Sequence, residues 1–329
     1  MNYKSLIYEE FGKPDEVIKV VERVYPAILP DETIVQMLMV PINPSDLIPA
    51  TGAYAHRIKL PAVVGYEGVG RVKEVGSPLY EHLLGKLVLP LKNEGTWQEL
   101  VVAKTADLIE VPDFLSIEDA ACAYINPITA WNLCTKELNL GQNDFLLVNA
   151  CNSAIGRLLI QLAKALNFKI IAVVRNENYK KELLELGADF VVSTDERNLI
   201  EEVMQITNQT GVAAAIDSIG GQAGTDLAKC VRENGDFLTI GLMSGVQVDW
   251  QLIFELPISA RIFHLRHWAD SVSSVEWRNT FERVFELVRQ GKLKFSDRRR
   301  VYSFDEYRQA VADALSDEVK EKVFLKINH

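Results

Sequence analysis

Two glycine-containing stretches have the residue types that bind a cofactor's phosphates. The first, Val63–Gly70 (VVGYEGVG), has three glycines, and the second, Asn149–Gly156 (NACNSAIG), has one. A phosphate-binding loop follows a parallel strand and begins a helix, because backbone N–H groups at a helix N-terminus bind phosphate. A strand pattern, RVKEV, follows Gly70. We therefore predict that the first stretch serves tight turns and close strand packing.

The second stretch has the required context. A buried-strand pattern, DFLLVN, leads into it, and a helical pattern, RLLIQLAKAL, follows it. The small residues Ala150, Ser153 and Gly156 fall where the dinucleotide-binding fingerprint has glycines. The alternative is an ordinary turn between a strand and a helix. We predict a dinucleotide site, with cofactor contacts from Asn149, Asn152, Ser153, Ala154, Ile155 and Gly156.

Arg175 indicates which dinucleotide binds. It follows the second predicted strand, where a site for NAD has an acidic residue on the ribose 2′-hydroxyl. A guanidinium there would pair with a 2′-phosphate, so the sequence predicts NADPH. We expect Tyr179, which lies nearby, to stack on Arg175 or on the adenine. The alternative is that Arg175 is a solvent-exposed residue at a strand end.

The elements around this loop alternate between strand and helix from residue 144 to residue 241. Such repetition predicts an α/β fold with a doubly wound parallel sheet. Short apolar runs between Pro and Gly residues predict β-structure in the first third. We predict a β-rich domain at 1–123 and 270–329 and a dinucleotide-binding domain at 124–269. The basic run Arg298–Arg300 is interpreted as a solvated turn.

Composition argues against nucleic-acid and membrane partners. The 329 residues include 45 Asp and Glu against 35 Lys and Arg, a net charge of −10 that would repel a phosphate backbone. No apolar run approaches the ~20 residues that span a bilayer. The four cysteines form no CxxC pair, and the N-terminus has no secretory pattern. We expect a cytoplasmic protein that acts on a small-molecule substrate.

Several short motifs occur in the order typical of one family: Pro44-Ser45-Asp46, Gly65–Gly70 and Leu186–Asp189. In them the whole chain resembles the medium-chain dehydrogenases/reductases, which implies a GroES-like catalytic domain and a Rossmann-type domain. The zinc alcohol dehydrogenases of that family bind zinc through a histidine at the position of Tyr66. Their zinc-ligating cysteines are also replaced, within Pro41–Ser45 and at Asn126, so the resemblance implies a member without a metal.

Within this branch the chain resembles the mitochondrial-type 2-enoyl thioester reductases. Thr51–Tyr54, Gly95–Trp97 and Asn126–Ala130 are among the shared stretches. The resemblance implies reduction of an activated C=C bond by NADPH, in a 2-enoyl thioester or an enone. It implies that Tyr54 donates the proton. It also implies a homodimer formed through edge strands of the nucleotide domains.

The resemblance implies further site residues. Asn43 would orient Tyr54 or a water molecule, and Thr129 would contact the nicotinamide ribose or the face that delivers hydride. Further cofactor contacts are expected from Ser218, Gly241, Met243, Phe263, Leu265 and Lys322, although Lys322 has a surface position as an equal alternative.

The chain also departs from the family pattern, at His264 and at Ala55-His56-Arg57. Both departures affect the expected acyl pocket, so the substrate stays open. Quinone reductases share most of this framework, and NADPH:quinone oxidoreductase is the alternative activity. A non-catalytic NADPH-binding sensor is a further alternative.

Overall fold

The computed structural model describes residues 2–93, 95–295, 298–316 and 318–327. They form two compact units, the first comprising 1–125, 269–285 and 295–329 and the second 126–268 and 286–294. The strands are β1 (Asn2–Tyr8), β2 (Lys19–Val24), β3 (Glu32–Pro41), β4 (Ala62–Val63), β5 (Val69–Val75), β6 (Leu87–Leu89), β7 (Leu100–Lys104), β8 (Ile109–Glu110), β9 (Phe145–Val148), β10 (Lys169–Val174), β11 (Phe190–Ser193), β12 (Val212–Asp217), β13 (Val231–Thr239), β14 (Ser259–Ile262), β15 (Arg299–Ser303) and β16 (Lys322–Lys326). The helices are α1 (Pro14–Val17), α2 (Pro44–Leu47), α3 (Ile117–Ala121), α4 (Ile125–Asn132), α5 (Ala154–Leu166), α6 (Lys180–Leu186), α7 (Leu199–Ile206), α8 (Gly221–Lys229), α9 (Trp250–Glu255), α10 (Leu265–Ser271), α11 (Ser274–Arg289) and α12 (Tyr307–Leu315).

The first unit is β-rich, and its described residues form one sheet of seven strands and one of three. In the larger sheet β3 is central, because it pairs antiparallel with β5, β7 and β16. The smaller sheet has the order β2-β1-β4. A Cβ added to Gly70 would lie 2.6 Å from the Gln36 carbonyl oxygen of β3. Close strand packing therefore requires this glycine, as the sequence predicted for VVGYEGVG.

The second unit contains one sheet of six parallel strands in the order β11-β10-β9-β12-β13-β14. This is the doubly wound order, so the predicted α/β class is confirmed. Every residue of β12 is buried, and β9 and β10 are nearly so. Parallel strands covered by helices on both faces have such continuous apolar runs.

One local prediction was wrong. The basic run at 298–300 is not a solvated turn. Arg299 and Arg300 begin β15, and their charges are paired with acidic residues of the same unit: Asp119, Asp313 and Glu321.

No helix in the described part of the chain is long and apolar enough to cross a lipid bilayer.

Candidate functional site

The predicted phosphate-binding loop connects β9 to α5, as its context required. The strand order reverses between β9 and β12, and in open α/β sheets ligands bind outside the carboxyl ends of the strands at that point. Helix α5 begins at Ala154, where the Ser153 hydroxyl accepts a hydrogen bond from the Gly156 N–H at 3.3 Å. Ser153 is thus the N-cap, and the first turn of a 13-residue helix presents backbone N–H donors toward the loop.

Gly156 allows the helix to approach the loop closely. A Cβ at this position would lie 2.5 Å from the Cys151 Cα and 2.8 Å from the Ala150 carbonyl oxygen. Both contacts are with backbone, so a side chain would force the loop and helix apart. Ala150 has a φ of 50°, the left-handed conformation that small residues of tight loops adopt at some cost. The single glycine of this loop is at the position that needs it most.

Asn149 connects the ends of the two strands that border the switch point. Its side-chain amide donates to Asp217 Oδ1 at 2.5 Å, and its Oδ1 accepts from the Ser218 N–H at 2.8 Å. Asp217 also accepts from the N–H groups of Ile219 and Gly220. Asn149 was predicted to contact the cofactor; in the structure its side chain is 3% exposed and joins β9 to β12.

Ser218 has a buried hydroxyl without a hydrogen-bond partner in the described part of the chain. Its carbonyl accepts from the Met243 N–H at 3.2 Å and would lie 2.8 Å from a Cβ added to Gly241. The predicted contacts Ser218, Gly241 and Met243 are therefore brought together beside Asn149. A buried hydroxyl without a partner is destabilising, so this position fits a ligand with a polar group.

Arg175 lies just beyond β10 with an exposed side chain. Its carbonyl accepts from the Ser193 hydroxyl at 3.0 Å and from the Asp195 N–H at 2.9 Å, which fixes the backbone. Within the described residues its guanidinium forms no ion pair and does not stack on Tyr179. Neighbouring Lys180 is paired with Glu177. Its guanidinium is therefore available to an anionic ligand, and its contact with the 2′-phosphate of NADPH stays a prediction.

The remaining cofactor predictions of the second unit lie in separate elements. Thr129 is buried in α4. Phe263 is buried, and its N–H donates to the Thr239 carbonyl at 2.9 Å. Leu265 begins α10. His264 Nδ1 accepts from the Arg266 N–H at 3.2 Å. The cofactor contacts of these residues stay predictions.

Tyr54 is in the turn that follows the 3₁₀ segment Ile48–Thr51 of the first unit. Gly52 has a φ of 87°, so it permits the chain to turn there. The Tyr54 side chain is half-buried, and its hydroxyl makes no hydrogen bond with any described residue. The Arg57 guanidinium lies over the ring, 4.4 Å from the ring centroid. The phenol is thus held on one face while its hydroxyl is available to a ligand.

A polar cluster, called the Asn43 cluster below, is formed by three buried residues and the half-buried Lys322: the buried ones are Asn43, Asp46 and Glu67. The amide nitrogen of Asn43 donates to Glu67 Oε1 at 2.7 Å and to Asp46 Oδ2 at 3.1 Å. Its amide oxygen accepts from the Lys322 ammonium, which also donates to the Ile42 carbonyl at 3.0 Å. Asn43 is therefore the centre of the cluster. Its predicted role beside Tyr54, and the cofactor contact of Lys322, stay predictions.

Backbone groups complete this cluster. Asp46 accepts from the N–H groups of Asn43 at 2.7 Å and Tyr66 at 3.0 Å. Glu67 accepts from those of Tyr124 at 3.2 Å and Ile125 at 2.8 Å. One set of side chains thus joins the start of α2, the GYEG loop and the end of the segment 1–125.

Burial raises the pKa of both carboxyls in the Asn43 cluster. Asp46 and Glu67 are each 1% exposed. For Asp46 burial comes first and the Glu67 charge second, and together they raise its pKa to about 7. Burial likewise raises the pKa of Glu67. Asp46 lies in Pro44-Ser45-Asp46 and Glu67 in Gly65–Gly70, two motifs that the chain shares with its family, and neither was predicted to be a site residue. The signal that identifies Glu67 is an acidic residue inside an apolar, glycine-flanked stretch.

No group of three or more His, Cys, Asp or Glu side chains among the described residues is arranged to hold a metal ion. Tyr66 lies where the zinc alcohol dehydrogenases have a zinc-ligating histidine, and Asn43 lies within Pro41–Ser45, where they have a zinc-ligating cysteine. Here Tyr66 donates its backbone N–H to Asp46, and the Asn43 amide oxygen accepts a hydrogen bond from Lys322. The absence of a metal stays a prediction.

Comparison with known proteins identifies the family. A model of the alcohol dehydrogenase GroES-like domain matches residues 29–113, and a zinc-binding dehydrogenase model matches residues 154–290. A mitochondrial enoyl-[acyl-carrier-protein] reductase of Caenorhabditis elegans is 34% identical over 302 residues, covering 88% of this chain and 86% of the relative. The corresponding Arabidopsis thaliana protein is 31% identical over 319 residues, covering 95% and 84%.

A solved structure agrees with these matches. A Bacillus thuringiensis protein described as a candidate NADPH:quinone reductase superimposes with a TM-score of 0.97 at 49% identity, covering 99% of both chains. These findings confirm the predicted combination of a GroES-like and a Rossmann-type domain. The chain belongs to the medium-chain dehydrogenase/reductase family.

Proposed function

We propose that this protein is an NADPH-dependent oxidoreductase that reduces an activated C=C bond, in a 2-enoyl thioester or an enone, without a metal ion. The enoyl-[acyl-carrier-protein] reductases among its relatives support the reaction class. The observation that carries the proposal is Tyr54, a half-buried phenol whose hydroxyl makes no hydrogen bond with any described residue and whose ring is held by Arg57.

The residues of the second unit fit NADPH. The first turn of α5 would bind the pyrophosphate through backbone N–H groups, and the Arg175 guanidinium would pair with the 2′-phosphate. The buried Ser218 hydroxyl would gain the hydrogen-bond partner it lacks among the described residues. When bound, NADPH supplies the hydride that adds to the β-carbon of the substrate.

Tyr54 would supply the proton that the reaction requires besides the hydride. After hydride addition the substrate is an enolate, which needs a proton at its α-carbon. A phenol is protonated at neutral pH and donates such a proton when it is positioned next to that carbon. The Asn43 cluster holds the N-cap of α2, from which the chain runs through Ile48–Thr51 to Tyr54. It therefore fixes the start of the segment that carries the donor.

Quinone reduction is the second candidate. The Bacillus thuringiensis neighbour supports it, being described as a candidate NADPH:quinone reductase at 49% identity. Hydroquinone oxygens take their protons from solvent, so this reaction does not need a positioned phenol.

We also propose a cytoplasmic homodimer. β14 is the last strand of the parallel sheet, and its Ile262 is 63% exposed. The unpaired edge of a terminal strand favours pairing with a second copy. Sedimentation of the purified protein tests the homodimer, and a monomer at all concentrations would contradict it.

The experiment that tests the proposed function compares two substrates. NADPH consumption is followed with a short trans-2-enoyl-CoA and with a simple quinone, each repeated with NADH and after dialysis against a chelator. We expect fast, NADPH-preferring thioester reduction that survives the chelator, with weak quinone reduction. A fast quinone rate without thioester turnover would favour the second candidate. Tight NADPH binding without turnover of either substrate would favour a sensor.

A further inference from the structure

The turn that carries Tyr54 also carries a cation in contact with its ring. The Arg57 N–H donates to the Tyr54 carbonyl at 3.0 Å, closing a turn of four residues. This turn folds the Arg57 side chain back, so that its guanidinium carbon lies 4.4 Å from the centroid of the Tyr54 ring. Elsewhere in the same unit, Arg308 lies 5.4 Å from the ring centroid of its neighbour Tyr307. The contact at Tyr54 is much closer.

A guanidinium at this distance acts on the phenol in two ways. Its attraction to the ring face restricts the orientations that the ring adopts in an otherwise irregular turn. Its positive charge also attracts the phenolate more strongly than the neutral phenol. An interaction that strengthens as charge develops lowers the barrier of the step that develops it. Arginine is suited to this role because it stays charged at every working pH.

We propose that Arg57 is a positioning residue for Tyr54, holding its ring and stabilising the phenolate that proton donation leaves. In that step the O–H bond of Tyr54 breaks, and the electron pair of the enolate forms the new C–H bond at the α-carbon. The negative charge passes to the Tyr54 oxygen, and water later returns a proton to it. This inference rests on the proposed function, and it assigns a role to a residue at which the chain departs from its family pattern.

The test is a double-mutant cycle. Arg57→Met and Arg57→Lys are made in the wild type and in Tyr54→Phe, and kcat and KM are measured with a short trans-2-enoyl-CoA and with a quinone. Arg57→Met is expected to lower kcat for the thioester about tenfold. KM and the quinone rate are expected to stay within about twofold of the wild type, because only the proton step is affected. Arg57→Lys keeps the charge and is expected to retain most of the activity.

Two comparisons separate this role from a structural one. In the Tyr54→Phe background, Arg57→Met is expected to cause no further loss, since there is no phenolate to stabilise. Arg308→Met removes an arginine that contacts a tyrosine of the same unit outside the site, and is expected to leave both activities unchanged.

Several outcomes would overturn the inference. Wild-type thioester turnover in Arg57→Met, an equal loss of quinone reduction, or an additive loss in the Tyr54→Phe background would each do so. If Tyr54→Phe is slow and Arg57→Met is not, only the role of Arg57 fails. If Tyr54→Phe itself turns over the thioester at the wild-type rate, the proposed proton donor fails and the role of Arg57 fails with it.

Discussion

The Asn43 cluster and the loop between β9 and α5 are held together in different ways. The cluster uses charged and amide side chains, two of them carboxyls that are each 1% exposed. The loop uses backbone shape: a left-handed Ala150, a helix N-terminus and a glycine that leaves no room for a Cβ. Removing one side chain from the cluster leaves several buried groups without partners, whereas removing the Ser153 side chain from the loop removes one cap and leaves most of the loop's geometry intact.

This difference suggests where each region tolerates change. A buried network is destabilised as a whole when one member is removed, because its side chains are one another's hydrogen-bond partners in a medium of low dielectric constant. A backbone loop fails at the few positions where a side chain would collide or a cap is lost. We therefore expect substitutions in the cluster to cause the largest losses of stability. Substitutions in the loop should weaken cofactor binding, and only at a few positions.

The largest expected effect is that of Glu67→Ala. It removes the acceptor of the Asn43 amide and of the Tyr124 and Ile125 N–H groups. We expect the free energy of unfolding to fall by about 3–5 kcal/mol, as when one partner of a buried charged group is removed. Urea unfolding measures this. Ser153→Ala removes only the cap of α5, and we expect it to lower the free energy of unfolding by about 1 kcal/mol. Equal losses would remove the distinction between the regions.

Arg175→Ala comes next and affects binding alone. The guanidinium has no ion pair with a described residue, so its loss should not change stability. We expect KM for NADPH to rise about 10–100-fold, the range for a lost charge-assisted contact, while KM for NADH stays the same. Steady-state kinetics with both cofactors measure this. An unchanged preference of Arg175→Ala for NADPH over NADH would show that another residue binds the 2′-phosphate. Arg175→Lys is the matched control and should retain part of the preference.

The buried carboxyl of Asp46 should make the free energy of unfolding depend on pH. The folded-state pKa of Asp46, about 7, lies above the ordinary aspartate value of 3.8. Between these values the folded state binds a proton that the unfolded state has lost, so the free energy of unfolding falls as pH rises, by at most about 1.4 kcal/mol per pH unit.

Asp46→Asn removes this titration. The variant is less stable than the wild type, because its amide nitrogen faces the N–H donors of Asn43 or Tyr66. The difference in the free energy of unfolding between the two proteins should narrow as pH rises from about 4 to about 7, because only the wild type loses stability through Asp46 over this range. Urea midpoints of both proteins across this range measure the gap. A gap that is constant or widens would mean that Asp46 is ionised throughout.

Ser218→Ala should have the smallest effect. Its hydroxyl is buried without a partner among the described residues, so the variant should be as stable as the wild type or slightly more stable. NADPH affinity should fall about three- to fivefold if the cofactor satisfies this hydroxyl. Titration of the cofactor by fluorescence measures this. A clear loss of stability without a change in affinity would assign Ser218 a purely structural role.

The loop could be predicted from the sequence and the cluster could not. DFLLVN, the small residues after it and RLLIQLAKAL are contiguous, so local periodicity was sufficient to place the strand, the turn and the helix. The cluster joins Asn43 to residues 24 and 279 positions away in the chain, Glu67 and Lys322. Such contacts depend on how β3, β5 and β16 pair, and no local pattern reveals that. The same limit explains Arg299, whose acidic partner Asp119 lies 180 positions away in the chain.

In the proposed function, Tyr54 donates a proton to carbon. The most direct test is the ratio of enoyl-thioester to quinone turnover in Tyr54→Phe relative to the wild type, at saturating NADPH. We expect the ratio to fall about 100-fold or more, because thioester reduction loses its acid and quinone reduction does not. An unchanged ratio, with both activities near wild type, would contradict it.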